Sequence, residues 1–267
     1  MNELFQRRLQ LKTNLQKRKS LFAAWTSFHH PSITEIFSRI GIDFIGIDIE
    51  HSTISQEQSQ RIIAAAQAGG SLCLPRVATH NMEMIKRLLD SGADGIIVPM
   101  VSTPQEAQRL ISWIKYSPRG KRSFGVARAQ GYGFDFAEYT RDWNKTSTFI
   151  IQIESVEGVH NIEKILSLDD IDGVMVGPYD LSGSLGIPGE LQHQKVKAAC
   201  RSVIAACRKY KKSCGTQVIE PDDKTINDAF HQGFNFLVLA SDVFLLWKWA
   251  KRMRDCVNKF KKKFRET

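Results

Sequence analysis

The chain has 267 residues, 42% hydrophobic and 24% charged, ordinary globular proportions that exclude wholesale disorder, collagen-like repeats and a disulfide-dense miniprotein. Its length suits one barrel or one doubly wound domain. The formal net charge of +9 resides at the ends: residues 1–20 hold six Lys/Arg against Glu3, residues 248–267 hold nine against Asp255 and Glu266, and 21–247 is left with 22 basic and 25 acidic side chains. The body is slightly acidic, so no nucleic-acid or membrane partner is expected, and the basic termini read as helix-solubilising segments.

In chain order, residues 1–20 place Leu4, Leu9, Leu11 and Leu15 in an amphipathic segment that suits docking. The apolar run at 21–25 is too short for a signal-peptide core or a membrane span. Short apolar runs then recur near 21–25, 43–48, 72–76, 94–99, 148–153, 172–177, 214–218 and 235–240. Helical patterns lie near 32–40, 55–68, 81–90, 103–115, 157–167, 192–210, 222–232 and 242–264. Alternation of this kind marks βα units around a parallel sheet. Eight strands, each followed by a helix, predict a closed (β/α)8 TIM barrel, because a doubly wound sheet usually stops at five to seven.

No linker rich in Pro, Gly or Ser breaks the series, so a single domain over 1–267 is expected, with basic helical extensions at about 1–20 and 246–267. Residues 116–147 are longer than loops without a role usually are. The last segment carries Leu246, Trp249, Met253, Val257, Phe260 and Phe264 at steps of three and four. That stripe packs either on its own barrel or on a neighbour. Five cysteines, at 73, 200, 207, 214 and 256, form no C-x-x-C pair, and three recur at seven-residue steps along one apparent helix. Reduced thiols and a cytoplasmic location are expected.

In such a barrel the chemistry lies where strands end. Those positions read Trp25; Asp48, Glu50 and His51; Arg76; Pro99; Gln152 and Glu154; Gly177 to Asp180; Gln217; and Ser241 with Asp242. Glu154 and Asp180 project into one mouth from neighbouring strands, and carboxylates held close repel unless they share a proton or a cation. Oxygen ligands with open positions suit Mg²⁺ or Mn²⁺. The competing reading is that each carboxylate caps the helix that follows. His51 is placed to act as a general base near neutral pH. Arg76 is placed to grip a carboxylate or a developing oxyanion, or simply to pair with the mouth carboxylates. No lysine stands at a strand end, which removes a Schiff-base route. The remaining histidines, 29, 30, 80, 160, 193 and 231, read as structural or surface residues.

The segments GIDFIGIDIEHS (41–52), LPRV (74–77), LLDSGADGIIVPMV (88–101), PRGKRSFGVARAQGYG (118–133), IIQIES (150–155) and VGPYDLSGSLG (176–186) resemble the class II, metal-dependent pyruvate aldolases of the HpcH/HpaI family. The resemblance runs over about 11–243. It implies a TIM barrel, commonly a hexamer built as a trimer of dimers that exchange their last helix, cleaving a 4-hydroxy-2-oxo acid to pyruvate and an aldehyde. It further implies metal ligands Glu154 and Asp180, with Mg²⁺ or Mn²⁺ ahead of Co²⁺ or Zn²⁺. Arg76 would face the pyruvate oxygen, and His51 with Asp90 would form the proton-transfer pair. Gln152, Gly177 and Pro178 would line the pyruvate pocket, supported by Trp25, Asp48 and Glu50.

Tyr179 stands where many members have Ala or Ser, and Ser123-Phe124 replace a Gly-containing pair, so the aldehyde side is expected to differ. A citryl- or malyl-CoA lyase-like activity and a catalytically idle binding module are the rival readings. Asp90 ends the third helix at the face opposite His51, roughly 17–20 Å away by strand length. A working pair therefore requires delivery of Asp90 by a neighbouring chain; otherwise Asp90 makes only a local turn contact.

Overall fold

The computed structural model describes residues 3–264. Eight strands, β1 (Leu21–Thr26), β2 (Phe44–Asp48), β3 (Leu72–Arg76), β4 (Gly95–Val98), β5 (Thr148–Ile153), β6 (Gly173–Val176), β7 (Ser213–Val218) and β8 (Phe236–Ser241), close into a barrel in sequence order. Every pairing is parallel, including that of β1 with β8. The helices are α1 (Glu3–Gln16), α2 (Pro31–Phe37), α3 (Gln56–Ala68), α4 (Met82–Asp90), α5 (Pro104–Ile114), α6 (Phe136–Thr146), α7 (Val156–Leu166), α8 (Pro178–Ser184), α9 (Gln194–Lys209), α10 (Asp223–Gln232) and α11 (Asp242–Lys263). The predicted TIM barrel is thus present, with strand bounds within a few residues of those read from the sequence. The long 116–147 segment holds a 3₁₀ turn (Arg128–Gly133) and α6.

The period of two in each strand splits the core into two shells. Leu21, Ala23, Trp25, Phe44, Leu72, Leu74, Ile97, Ile150, Met175, Phe236 and Val238 fill the barrel interior. Residues of the other parity, such as Ile45, Ile47, Cys73, Ile151, Val174 and Cys214, pack against the helices. Continuing the inward parity to the strand ends gives Asp48, Arg76, Gln152 and Glu154. Gly46 keeps an inward place clear: a Cβ there would lie 2.2 Å from the Trp25 ring.

Where strands begin, a clasp repeats four times. Asp43, Asp94, Asp172 and Asn235, each just before an even-numbered strand, accept with a side-chain oxygen from the backbone N–H of Phe22, Cys73, Phe149 and Cys214 on the preceding odd-numbered strand. Their own N–H groups donate back to the carbonyls of those same four residues. Each pair is held in register by a two-way contact. The segments GID, GAD, DID and GFN that carry the clasp form a short internal repeat.

Helix α1 closes this end. Leu11 and Leu15 extend the interior core, whereas Leu9 is exposed. The expectation that the N-terminal cations only solubilise a helix fails for two of them. Arg8 Nε lies 2.6 Å from Asp94 and Lys12 Nζ 2.6 Å from Asp172, and both pairs are buried because the clasp carboxylates there require counter-charge. A second correction concerns the cysteines: Cys200 and Cys207 lie on α9, but Cys214 lies on β7, since the helix ends at Lys209 and the chain turns before it. All five cysteines are free.

Helix α11 contacts β8 and β1 near its start and then leaves the barrel surface. Leu246, Trp249, Met253, Val257, Phe260 and Phe264 are all exposed, Trp249 at 60%. The stripe therefore does not pack on its own barrel, which overturns that one of its two readings. Residues 265–267, part of the predicted basic extension, lie outside the described residues. No described helix is long and apolar enough to cross a membrane.

Candidate active site

Arg76, the last residue of β3, is the hub of the mouth. Its guanidinium is buried and grips Asp48 with two prongs, Nε to Oδ1 at 3.1 Å and Nη2 to Oδ2 at 2.8 Å. Nη1 turns toward Glu50 at 3.2 Å and Gln152 at 3.5 Å. The Trp25 ring lies against the guanidinium at 5.0 Å, so the cation is fixed by charge on its edges and a π-face. The expected ion pairs with mouth carboxylates are present, and they aim the group without removing it from the mouth.

Glu154 follows β5 as the next inward position. Gln152 donates to its Oε1 at 2.9 Å and the Met100 N–H to its Oε2 at 3.0 Å. Ser155, not Glu154, caps α7, so the helix-cap reading of Glu154 does not hold. Gly177 gives it room, since a Cβ at that position would lie 2.5 Å from Oε1. Burial raises the Glu154 carboxyl to about 7, opposed by the Met100 hydrogen bond and Arg76 and reinforced by Asp180 and Glu50. Burial is also the main reason Glu50 sits above its ordinary value, with Asp48 and Asp180 adding to it against Arg76.

Asp180 stands in the first turn of α8, behind Pro178 at its start, where the helix N-terminus favours an anion. The backbone therefore holds Asp180 in the field of Glu154 and Glu50. His51 is at the rim: its N–H donates to Asp48 at 3.1 Å, its Nε2 is 3.7 Å from Glu50, and its ring is 68% exposed. Asp242, another of the strand-end residues, accepts from the N–H groups of Ser27, Phe28 and Val243 at 2.8–3.0 Å. It ties the loop after β1 to the start of α11.

The structure brings Trp25, Asp48, Glu50, Arg76, Gln152, Glu154, Gly177, Pro178 and Asp180 to one mouth with His51 at its edge. Asp90 is not among them. It ends α4 on the side where strands begin and takes a hydrogen bond from Arg122 Nη2 at 2.8 Å. Arg122 is itself buried against the rings of Tyr116, Tyr139 and Trp143, 4.7–5.5 Å away. This cation offsets the poor position of an anion at a helix C-terminus. A cavity of about 290 Å³ at that end, among Arg8, Gln67, Arg128, Asp135, Glu138 and Trp143, includes none of the predicted site residues.

A divalent cation fits the mouth on donor chemistry. Among the described residues no three His, Cys, Asp or Glu side chains converge on one point, but two carboxylates with substrate and water oxygens are a common Mg²⁺ arrangement. Glu154 and Asp180 would supply that pair: Glu154 is raised chiefly by burial and further by the charges of Asp180 and Glu50, and a cation between them would relieve the repulsion part of that shift.

A closed parallel barrel with an acidic, arginine-centred mouth places the chain among TIM-barrel proteins, and comparison with known proteins supplies the family. The chain belongs to the HpcH/HpaI aldolase/citrate lyase family, whose model matches residues 21–248. It is 32% identical over 242 residues, 90% of this chain and 93% of the relative, to a hydroxypyruvate/pyruvate aldolase of Roseobacter denitrificans. It is 29% identical over 259 residues, covering 97% and 99%, to a 5-keto-4-deoxy-D-glucarate aldolase of Citrobacter koseri. A crystal structure of an HpcH/HpaI aldolase/citrate lyase family protein from Burkholderia cenocepacia superposes with a TM-score of 0.87 at 26% identity, covering 93% of this chain and 99% of that one.

Proposed function

We propose that this protein is a cytoplasmic, divalent-metal-dependent aldolase that cleaves a 4-hydroxy-2-oxo acid to pyruvate and an aldehyde, and catalyses the reverse condensation. The observation that carries the reading is the mouth itself, where Arg76, held in a fixed orientation, faces the same space as the Glu154–Asp180 pair. The relatives named as aldolases support it. So does the lack of a lysine among the strand ends, which removes the Schiff-base alternative.

Cleavage breaks the C3–C4 bond as a base removes the C4 hydroxyl proton, and the electron pair settles as the enolate of pyruvate. Glu154 and Asp180 would hold Mg²⁺ or Mn²⁺, which would supply Lewis-acid charge to stabilise the negative charge that develops on the substrate. Arg76 presents a planar donor to the oxygen on which negative charge develops, and Asp48 and Glu50 keep it from turning away. Gln152 orients Glu154, Gly177 leaves the Glu154 carboxylate its room, and Gly177 and Pro178 would line the pyruvate pocket as the family resemblance implies. His51, exposed at the rim, takes the C4 hydroxyl proton. Its partner is Asp90 of a neighbouring subunit in a homo-oligomer, a hexamer by family resemblance, because Asp90 of the same chain lies at the other end of the barrel.

The test is pyruvate release from a 4-hydroxy-2-oxo acid before and after treatment with EDTA. Activity should vanish on chelation and return with Mg²⁺ or Mn²⁺. A fully chelated enzyme that keeps its rate rejects the metal-dependent reading.

A further inference from the structure

The peptide that joins Pro99 to Met100 is held at both of its polar atoms. His80 Nε2 lies 2.7 Å from the Pro99 carbonyl oxygen, and because a carbonyl only accepts, this nitrogen carries the proton and donates. Across the same peptide plane, the Met100 N–H donates to Glu154 Oε2 at 3.0 Å. Met100 itself has φ 54, a left-handed conformation that is costly for a residue with a side chain and persists only where its surroundings enforce it. The three participants follow β3, β4 and β5, so the contact runs across three successive βα units. No motif of the site includes His80.

We infer that His80 is a positioning residue for Glu154, acting through the Pro99–Met100 peptide; the inference rests on the reading of Glu154 as a metal ligand. A peptide unit is planar, so a bond that anchors its carbonyl also fixes the direction of its N–H. A hydrogen bond accepted at the carbonyl strengthens the amide as a donor by about 10–30%. Gln152 ties the other oxygen of Glu154 at 2.9 Å, so both carboxylate oxygens have set directions before a cation arrives. Without His80 the peptide rotates to relieve the left-handed conformation at Met100, and its N–H leaves Oε2.

The test is titration of the full-length enzyme with Mn²⁺ at a fixed pH of about 8, above the raised Glu154 carboxyl, with free Mn²⁺ followed by electron paramagnetic resonance. The proteins compared are wild type, Glu154→Gln, His80→Ala, His80→Met and His80→Gln. Outer partners of metal ligands are commonly worth about 10–100-fold in affinity, so His80→Ala and His80→Met should bind Mn²⁺ about tenfold or more weakly. His80→Gln, which keeps an N–H near the Nε2 position, should stay within about threefold of wild type, rescuing what the other two lose. Wild-type affinity in His80→Met, whose side chain keeps the packing volume, overturns the inference even if His80→Ala fails to fold. Glu154→Gln must lose Mn²⁺ binding; if it does not, the metal reading itself falls, and this inference with it.

Discussion

A guanidinium that touches two carboxylates, an amide and an indole has few orientations open to it, and Arg76 is such a group. Lysine at position 76 would keep the charge and lose the planar fork. Arg76→Lys should therefore lower kcat for pyruvate release by about 10² or more, the scale of removing one oxyanion donor. An unchanged kcat would show that Arg76 only neutralises the mouth. Lys115 poses the opposite problem, because it is buried with its ammonium donating to Ser147 and to the Asn144 carbonyl and with the Asp170 carboxylate only at 3.6 Å. Burial, with Lys12 nearby, lowers it from 10.5 to about 8. Between those values the unfolded chain binds the extra proton, so stability rises with pH across that window and the contribution is unfavourable below about 8. The stability of wild type relative to Lys115→Met should shift in favour of wild type by about 3 kcal/mol from pH 8 to pH 10.5. Urea melts at a series of pH values measure this directly, and a flat difference would contradict it.

Helix α1 is where element and charge meet. Its two buried cations face carboxylates that already hold strand ends together, so removing a cation leaves a desolvated anion inside the clasp. Lys12→Ala should lower unfolding free energy by about 3–5 kcal/mol, and denaturant midpoints check it; a loss comparable to an exposed ion pair, about 1 kcal/mol or less, would mean that water reaches Asp172. Helix α11 presents the converse case, an apolar stripe with no surface of its own barrel beneath it. Exposed apolar faces of this extent mark association sites. Deletion of 246–267 should lower the mass of the assembly in light scattering, and an assembly of unchanged size would exclude the helix from the interface.

At the scale of the whole molecule, the proposed dyad requires a second subunit. His51 is at the mouth and Asp90 at the far end of the same barrel, bound to Arg122. Mixing inactive His51→Ala with inactive Asp90→Ala subunits should restore part of the pyruvate-releasing activity, because some interfaces regain both native residues. Mixed oligomers that form and stay inactive would rule out a shared site and leave Asp90 as the counter-charge of a caged arginine.

The sequence by itself determined the barrel and most of its mouth. Strand parity is a one-dimensional property, so once eight apolar runs and their ends are marked, Asp48, Arg76, Gln152 and Glu154 fall on the inner face at the rim without further information. The side chains that support them were less legible. A left-handed Met100, the tilt of one peptide toward Glu154 and the reach of His80 to Pro99 depend on how three separate βα units meet, and no local spacing encodes that meeting. Cys214 shows the same limit on a smaller scale, since a seven-residue step looks helical whether or not the helix has already ended. The termini are the clearest case. Both read as basic and amphipathic, yet α1 buries Arg8 and Lys12 beneath the barrel while α11 carries its apolar stripe out into solvent, because periodicity defines a face and only the tertiary packing decides which surface covers it.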